Sequence, residues 1–291
     1  MQPLAEGMTL PREGLEVGEV LRLTEAALTI AGCVSAAAEA ELAIRRLTGA
    51  DPSDRGSLLA GGDLAAVDAY VEGRRSGEPP HHILGGGEFM GRWIVLDRAT
   101  YIPRPWTAEM VVRAIAILKR VRRPRTVVDL GTGSGAIAVT IAAAVRNCHV
   151  WALDIDPVSV ECARINTACT PGVRILRSDL FTAMPGELVR RVDLVIGSLP
   201  YVPTSELAQL PRDYREREPR RALDGGQDGL AVDGRALGEA RGWLRPGGRV
   251  LLELGHRQGG PLAAEATRLG YTRALVRTDE DGDDLFLECG L

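Results

Sequence analysis

Two rhythms of apolar and polar positions run along this chain. Over residues 17–75 apolar side chains recur every three or four positions among Ala, Leu, Glu and Arg, a spacing that predicts a small helical region. Gly49-Ala50-Asp51-Pro52 and Gly61-Gly62 punctuate it, as turn residues do between helices. Glu78-Pro79-Pro80 ends the helical rhythm, and 89–96 alternates around Gly91 in the manner of a hairpin. Beyond a helix predicted over 110–119, the second rhythm begins. Short apolar runs at 126–130, 149–153, 173–176 and 192–196 are expected to be strands, and 137–145 and 158–167 the helices between them. A helix over 230–243, a strand over 249–254, a helix over 261–269 and two strands around 272–276 and 284–289 follow. Asp279-Glu280-Asp281-Gly282-Asp283 forms the turn between that last pair.

Alternation of this kind implies right-handed βαβ units and an α/β fold, a mostly parallel Rossmann-like sheet ending in an antiparallel hairpin. The expected organisation is a helical N-terminal domain over 1–77, a β-hairpin connector over 78–100 and a larger α/β domain over 101–291.

Composition narrows the classes. The 291 residues are 45% hydrophobic, enough for a well-buried core. A formal net charge of -4 supplies no global field toward nucleic acid, so sequence-specific binding to it is not expected. The local run Arg120, Arg122, Arg123 and Arg125 reads as a helix end whose cations suit the helix dipole. Cys33, Cys148, Cys162, Cys169 and Cys289 show neither a C-x-x-C pair nor a disulfide framework, and no metal site is expected. Met1 to Thr9 lacks a charged start followed by an apolar stretch, and no segment has the roughly 18 apolar residues of a membrane span. A cytoplasmic location and no membrane partner are the expectation. His81 and His82 have no carboxylate partner nearby in sequence and read as surface or packing residues, whereas 212–221, rich in arginine, is either a solvated loop or a lid.

Chemistry gathers at strand ends. Asp129-Leu130-Gly131-Thr132-Gly133-Ser134-Gly135 follows the first strand and opens a helix, so backbone N–H groups and close approach are available to a ligand. Asp154 ends the next strand, where a carboxylate can accept both hydroxyls of a ribose. These features fit a dinucleotide as well, since Gly131-x-Gly133-x-x-Ala136 satisfies that fingerprint and Asp154 lies about 20 residues on. Three further points favour S-adenosyl-L-methionine: the Asp129 carboxylate before the glycines, suited to an ammonium; Ser178-Asp179-Leu180 after the third strand, suited to adenine; and Ser198-Leu199-Pro200-Tyr201 after the fourth. A small polar side chain, free carbonyls and a flat ring at that last strand end can grip a planar NH2 group. The Tyr201 ring could also stabilise developing positive charge.

From about Glu78 onward the chain resembles the HemK-like protein-(glutamine-N5) methyltransferases. The resemblance covers Tyr101-Ile102-Pro103-Arg104-Pro105, the Asp129 to Gly135 loop, Asp154, Ser178 to Phe181, Ser198 to Tyr201, Glu218-Pro219-Arg220, Ala222 to Gly226, and Glu253-Leu254-Gly255 with Gln258. It implies a class I methyltransferase fold with the S-adenosyl-L-methionine-dependent methyltransferase domain over 101–291 and a substrate-recognition role for 1–77, S-adenosyl-L-methionine as cofactor and a protein substrate, the Gly-Gly-Gln glutamine of a peptide-chain release factor. It further implies a cofactor site of Asp129, Gly131, Thr132, Gly133, Ser134, Gly135, Asp154, Asp179, Leu180 and Ser198. Catalytic and substrate roles fall to Ser198, Leu199, Pro200 and Tyr201, with Arg104 and Pro105 on the substrate side. Two positions depart from the family pattern: Ser198-Leu199 replaces Asn-Pro, and Trp106 stands where an acidic residue is usual. A relative acting on another protein or a small molecule, and a nucleotide-binding protein without catalysis, are the alternatives.

Overall fold

The computed structural model describes residues 14–291, so the expectation drawn from Met1 to Thr9 lies outside it. The chain divides between Gly86 and Gly87 into two compact units.

In the first unit β1 (Leu15–Glu16) pairs antiparallel with β2 (Leu58–Leu59), and α1 (Val17–Ile30), α2 (Ala36–Thr48) and α3 (Gly61–Arg75) enclose an apolar core. Gly49 caps α2 in the left-handed conformation, the role a glycine fills without a Cβ clash. Gly61-Gly62, read as a break between helices, instead forms the first two positions of α3, where Asp63 accepts from the Ala60 N–H at 3.2 Å and caps the helix start. Within this unit Glu39 accepts from the Tyr70 hydroxyl at 2.8 Å and from Arg74 at 2.5 Å. A short helix, α4 (Pro80–Ile83), follows at the expected proline break.

The hairpin strands β3 (Gly86–Phe89) and β4 (Arg92–Val95) meet through Met90 and Gly91, both at positive φ, as a two-residue turn with the twist of a hairpin requires. The unit boundary falls within the expected connector: Phe89, Ile94 and Leu96 are buried in the core of the second unit.

That second unit continues as α5 (Thr107–Lys119), β5 (Arg125–Leu130), α6 (Ala136–Ala144), β6 (Cys148–Asp154), α7 (Pro157–Thr167), β7 (Val173–Arg177) and β8 (Val192–Gly197). It ends with α8 (Arg212–Arg217), α9 (Arg220–Leu223), α10 (Ala231–Trp243), β9 (Leu244–Glu253), α11 (Gly259–Arg268), β10 (Arg273–Thr278) and β11 (Asp284–Gly290). Seven strands form one sheet in the order β10-β11-β9-β8-β5-β6-β7. β5 pairs parallel with β6 and β8, and β11 runs antiparallel to both its neighbours, so the expected terminal hairpin is present. Apolar cores fill both faces, which is why β8 is buried at every position. β9 begins five residues before the predicted strand; the stretch from Arg245 to Gly248 is a bulge, where the register jumps from Val192 opposite Leu244 to Leu194 opposite Arg249.

Two members of the arginine run serve structure. Arg125 donates to the carbonyls of Leu118 and Val121 at the end of α5, and Arg123 pairs with Asp193. Among the described residues no helix is long and apolar enough to cross a membrane.

Candidate active site

β5 and β8 are neighbours, yet the chain leaves them in opposite directions across the sheet, toward β6 and toward β9. Ligands bind outside the carboxyl ends of strands at such a switch point. A cavity of about 220 Å³ opens there.

One wall is the loop between β5 and α6. Gly131, Gly133 and Gly135 all have positive φ, and the Thr132 N–H is tied to the Leu153 carbonyl at 2.9 Å. A Cβ on Gly131 would stand 2.9 Å from Leu199 Cδ2, so the loop abuts the tetrapeptide after β8 directly. One on Gly135 would press on Ala163 of α7. Thr132, Gly133 and Ser134 line the cavity, whereas Gly135 supports it from behind. Asp129 also stands behind the wall: fully buried, it accepts from the Thr132 hydroxyl at 2.7 Å through one oxygen while the other has no partner. Burial pushes its carboxyl up to about 7.

Asp154, at the end of β6, accepts from the Gly133 N–H at 2.8 Å and the Asp156 N–H at 2.9 Å. Each oxygen keeps acceptor capacity toward the cavity it lines. Burial raises its pKa. Asp156 caps α7 through the Val158 N–H at 3.0 Å, with Pro157 at the first helical position, and it pairs with Arg221. On the third strand end, Ser178 donates to the Leu180 carbonyl at 2.7 Å and accepts from the Ala183 N–H at 3.0 Å, fixing the turn in which Leu180 has positive φ. Asp179 and Leu180 line the cavity; both Asp179 oxygens face Arg235 of α10, at 3.0 and 3.1 Å.

Ser198, Leu199 and Pro200 line the cavity beside the loop. The Ser198 hydroxyl is buried without a hydrogen-bond partner, as is that of Ser134. Tyr201 does not line the cavity. Its carbonyl accepts from Gln258 Nε2 at 2.7 Å, its ring packs over Gly255, and its hydroxyl lies among Tyr101, Trp106 and Glu253. Burial, then the proximity of Tyr101 and Glu253, raises its pKa well above the usual phenol range.

Arg104 turns inward. Its guanidinium donates to Glu218 at 2.6 Å and to the Tyr101 hydroxyl at 3.1 Å, and lies over the rings of Tyr101 and Tyr214 at 4.5 and 4.0 Å. It holds the segment after β8 in place and has no free face for a substrate; Pro105 likewise stays out of the cavity wall. The stretch read as a loop or a lid is two short helices, α8 and α9, fastened by Glu218 to Arg104 and by Arg221 to Asp156.

Several participants escaped the sequence reading. Asp156, Arg221 and Arg235 border the cavity, and the aspartate-proline pair opening α7 was the one local signal among them. Glu253 had been noted only as part of a motif. It is 1% exposed and accepts from Trp106 Nε1 at 3.0 Å and Thr107 Oγ1 at 2.6 Å.

A sheet of this order, with a glycine loop after its first strand and a cavity at its switch point, defines a class I methyltransferase. Residues 127–216 match a family model described as a methyltransferase domain. The hMettl16 catalytic domain shares the fold, with a TM-score of 0.53 over 80% of this chain and 84% of that one at 14% identity. The release factor glutamine methyltransferase of Deinococcus radiodurans is 33% identical over 280 residues, covering 94% of this chain and 98% of the relative. That of Cereibacter sphaeroides is 34% identical over 286 residues, covering 95% and 99%. The chain belongs to the release factor glutamine methyltransferase family.

Proposed function

We propose that this protein is an S-adenosyl-L-methionine-dependent N-methyltransferase that modifies the side-chain amide nitrogen of a glutamine in a protein, specifically a peptide-chain release factor. The observation that carries this reading is the contact between the Gly131 loop and Leu199: a cradle for the methyl donor and a grip for a planar amide share one wall.

The residues present fit the cofactor. Gly133 and Ser134 bring backbone close to the cavity, the Ser134 and Ser198 hydroxyls are buried without partners, and Asp154 has acceptor capacity for ribose hydroxyls. Asp179 would hold the adenine amino group and Leu180 its apolar face. Asp129 acts behind the loop, contributing negative potential toward an ammonium and fastening Thr132. Once bound, the cofactor supplies a methyl group already activated on a sulfonium. The protein therefore contributes alignment above all, because a misplacement of ~1 Å can cost ~100-fold in rate. Ser198 and the Leu199 carbonyl orient the amide hydrogens, and Pro200 shapes the turn that presents them. Tyr201, held by Gln258, fixes the end of the tetrapeptide.

Incubation with labelled cofactor and a purified release factor, followed by mass spectrometry of the Gly-Gly-Gln peptide, tests this directly. Methylation of the glutamine is the expected result; an unmodified peptide at saturating cofactor would refute it.

A further inference from the structure

The proposed reaction has a proton to dispose of. An amide nitrogen that gains a methyl group must lose one of its two hydrogens, since its lone pair is shared with the carbonyl and the N-protonated product is too acidic to persist. Nothing in the binding roles above receives that proton.

The sheet places a carboxyl group at the required position. β8 and β9 run parallel with Ile196 opposite Leu251 and Gly197 opposite Leu252, so Ser198 and Glu253 are the next pair in register. Ser198 Oγ is buried, unpartnered and in the cavity wall. Both Glu253 oxygens accept hydrogen bonds, from Trp106 and Thr107, which is the arrangement an ionised carboxylate uses.

Burial raises the Glu253 carboxyl above its ordinary range, and the hydrogen bonds from Thr107 and Trp106 oppose that rise by favouring the ionised form. Asp233, on the first turn of α10, is 0% exposed and neither of its oxygens has a partner. Burial and then the charge of Glu253 push Asp233 well above the usual carboxylate range, so it stays a neutral acid. Tyr101 and Tyr201, the phenols nearest Glu253, are both raised by burial, Tyr101 to about 12, and neither competes as a base near neutrality. Arg104, which donates to the Tyr101 hydroxyl, is engaged by Glu218.

We propose that Glu253 is the final acceptor of the proton shed by the amide nitrogen, reached through the Ser198 hydroxyl. This rests on the glutamine-methylating function above. As nitrogen bonds to the methyl carbon, the carbon–sulfur pair returns to sulfur and the N–H pair stays on nitrogen. The released proton passes to Ser198 Oγ, and the proton already on that hydroxyl moves to the Glu253 carboxylate. The resulting carboxylic acid returns its proton to water after product leaves. Trp106 and Thr107 are positioning residues that aim Glu253, which gives the unusual Trp106 a role although the residue is 41% exposed.

The test combines single-turnover methylation of a release factor across pH with calorimetric cofactor binding and infrared titration of the cofactor-free protein. Glu253→Gln is expected to lower the rate about 100-fold or more and to abolish the acid limb of the pH profile. Its cofactor affinity should stay within about threefold of wild type. Ser198→Ala should cause a similar loss, and the double variant little beyond either one, since the two act as a unit. In the infrared titration, Glu253→Gln should lack one buried carboxyl band that wild type shows. Glu253→Asp, which keeps the charge, guards against misfolding and should retain the acid limb. A Glu253→Gln rate within about threefold of wild type, or a loss confined to cofactor binding, would overturn the assignment while leaving the function intact. So would a Glu253→Asp profile without the acid limb. A wild-type protein inert on the glutamine overturns the function, and this assignment with it.

Discussion

Arg104 and Glu218 stand 114 positions apart in sequence, and their side chains meet at 2.6 Å with almost no solvent access. The guanidinium also lies between the rings of Tyr101 and Tyr214, so one cation joins the segment before α5 to the segment after β8. Removing one partner of a buried pair strands the other charge, at a cost of about 3–5 kcal/mol. Glu218→Gln or Arg104→Met should therefore lower the thermal midpoint and open the 212–223 segment to protease. The double variant Arg104→Met/Glu218→Met should recover part of the stability. Equal midpoints in all four proteins would show that the pair holds nothing in place.

Gly229 carries a second constraint on the tetrapeptide. Its φ is +77°, and a Cβ there would stand 2.2 Å from the Tyr201 carbonyl oxygen and 2.3 Å from Gln258 Nε2. The left-handed conformation alone costs an L-residue about 1–2 kcal/mol. Gly229→Ala should also displace Tyr201 and slow turnover about 100-fold, by the sensitivity of transfer to misplacement of ~1 Å. Comparison of kcat with calorimetric cofactor affinity checks this: the expected pattern is a large fall in kcat with cofactor binding nearly intact.

Asp129 sets stability against function. Burial holds its carboxyl up at about 7, above the roughly 3.9 of an unfolded chain. The folded state then binds the proton more tightly, so this group's contribution is fully present below about pH 4 and is lost as pH rises through about 7. Asp129→Asn should be more stable than wild type at pH 8, and the difference should vanish at pH 4, as read by urea denaturation. The same variant should bind cofactor more weakly at pH 8, because it lacks the negative potential behind the loop.

Glu288 behaves oppositely. Burial alone would raise it, but hydrogen bonds from Arg113 and Arg277, with Arg249 also adjacent, outweigh that and hold it at about 2. Its folded pKa lies below the roughly 4.3 of an unfolded chain, so its contribution is present above about pH 4 and lost as pH falls toward about 2. Glu288→Gln should flatten the acid side of the stability profile. A wild-type and variant difference that stays constant between pH 6 and pH 2.5 would contradict the cluster's role.

Much of this was legible from periodicity. The strands from β5 to β8 and helices α6 and α7 start or stop within a residue or so of the predicted spans, because buried parallel strands write continuous apolar runs and Asp156-Pro157 marks a helix start. The glycine loop and Ser198 were legible for the same local reason: each follows a strand end. What stayed hidden depends on pairing across the chain. Neither Arg104's turn toward Glu218 nor Glu253's place beside Ser198 leaves a local pattern, since the first needs a contact across 114 positions and the second a strand register. The bulge at 245–248 escaped because Pro246-Gly247-Gly248 reads as a turn, and only pairing with β8 keeps it in the strand. Asp233 reads as one more exposed helical acid until its neighbours bury it.

The order of strands has a corollary. Under the proposed function, donor handling would fall to the ends of β5, β6 and β7 and acceptor handling to the ends of β8 and β9, with a seam between β5 and β8. Because the Gly131 loop abuts Leu199, a change in the tetrapeptide reaches both sides of that seam, whereas a change at Glu253 leaves Asp154 and Asp179 untouched. Ser198 and Trp106, the two departures from the family pattern, both bear on the acceptor flank: Ser198 lines the cavity and Trp106 donates to Glu253 at 3.0 Å.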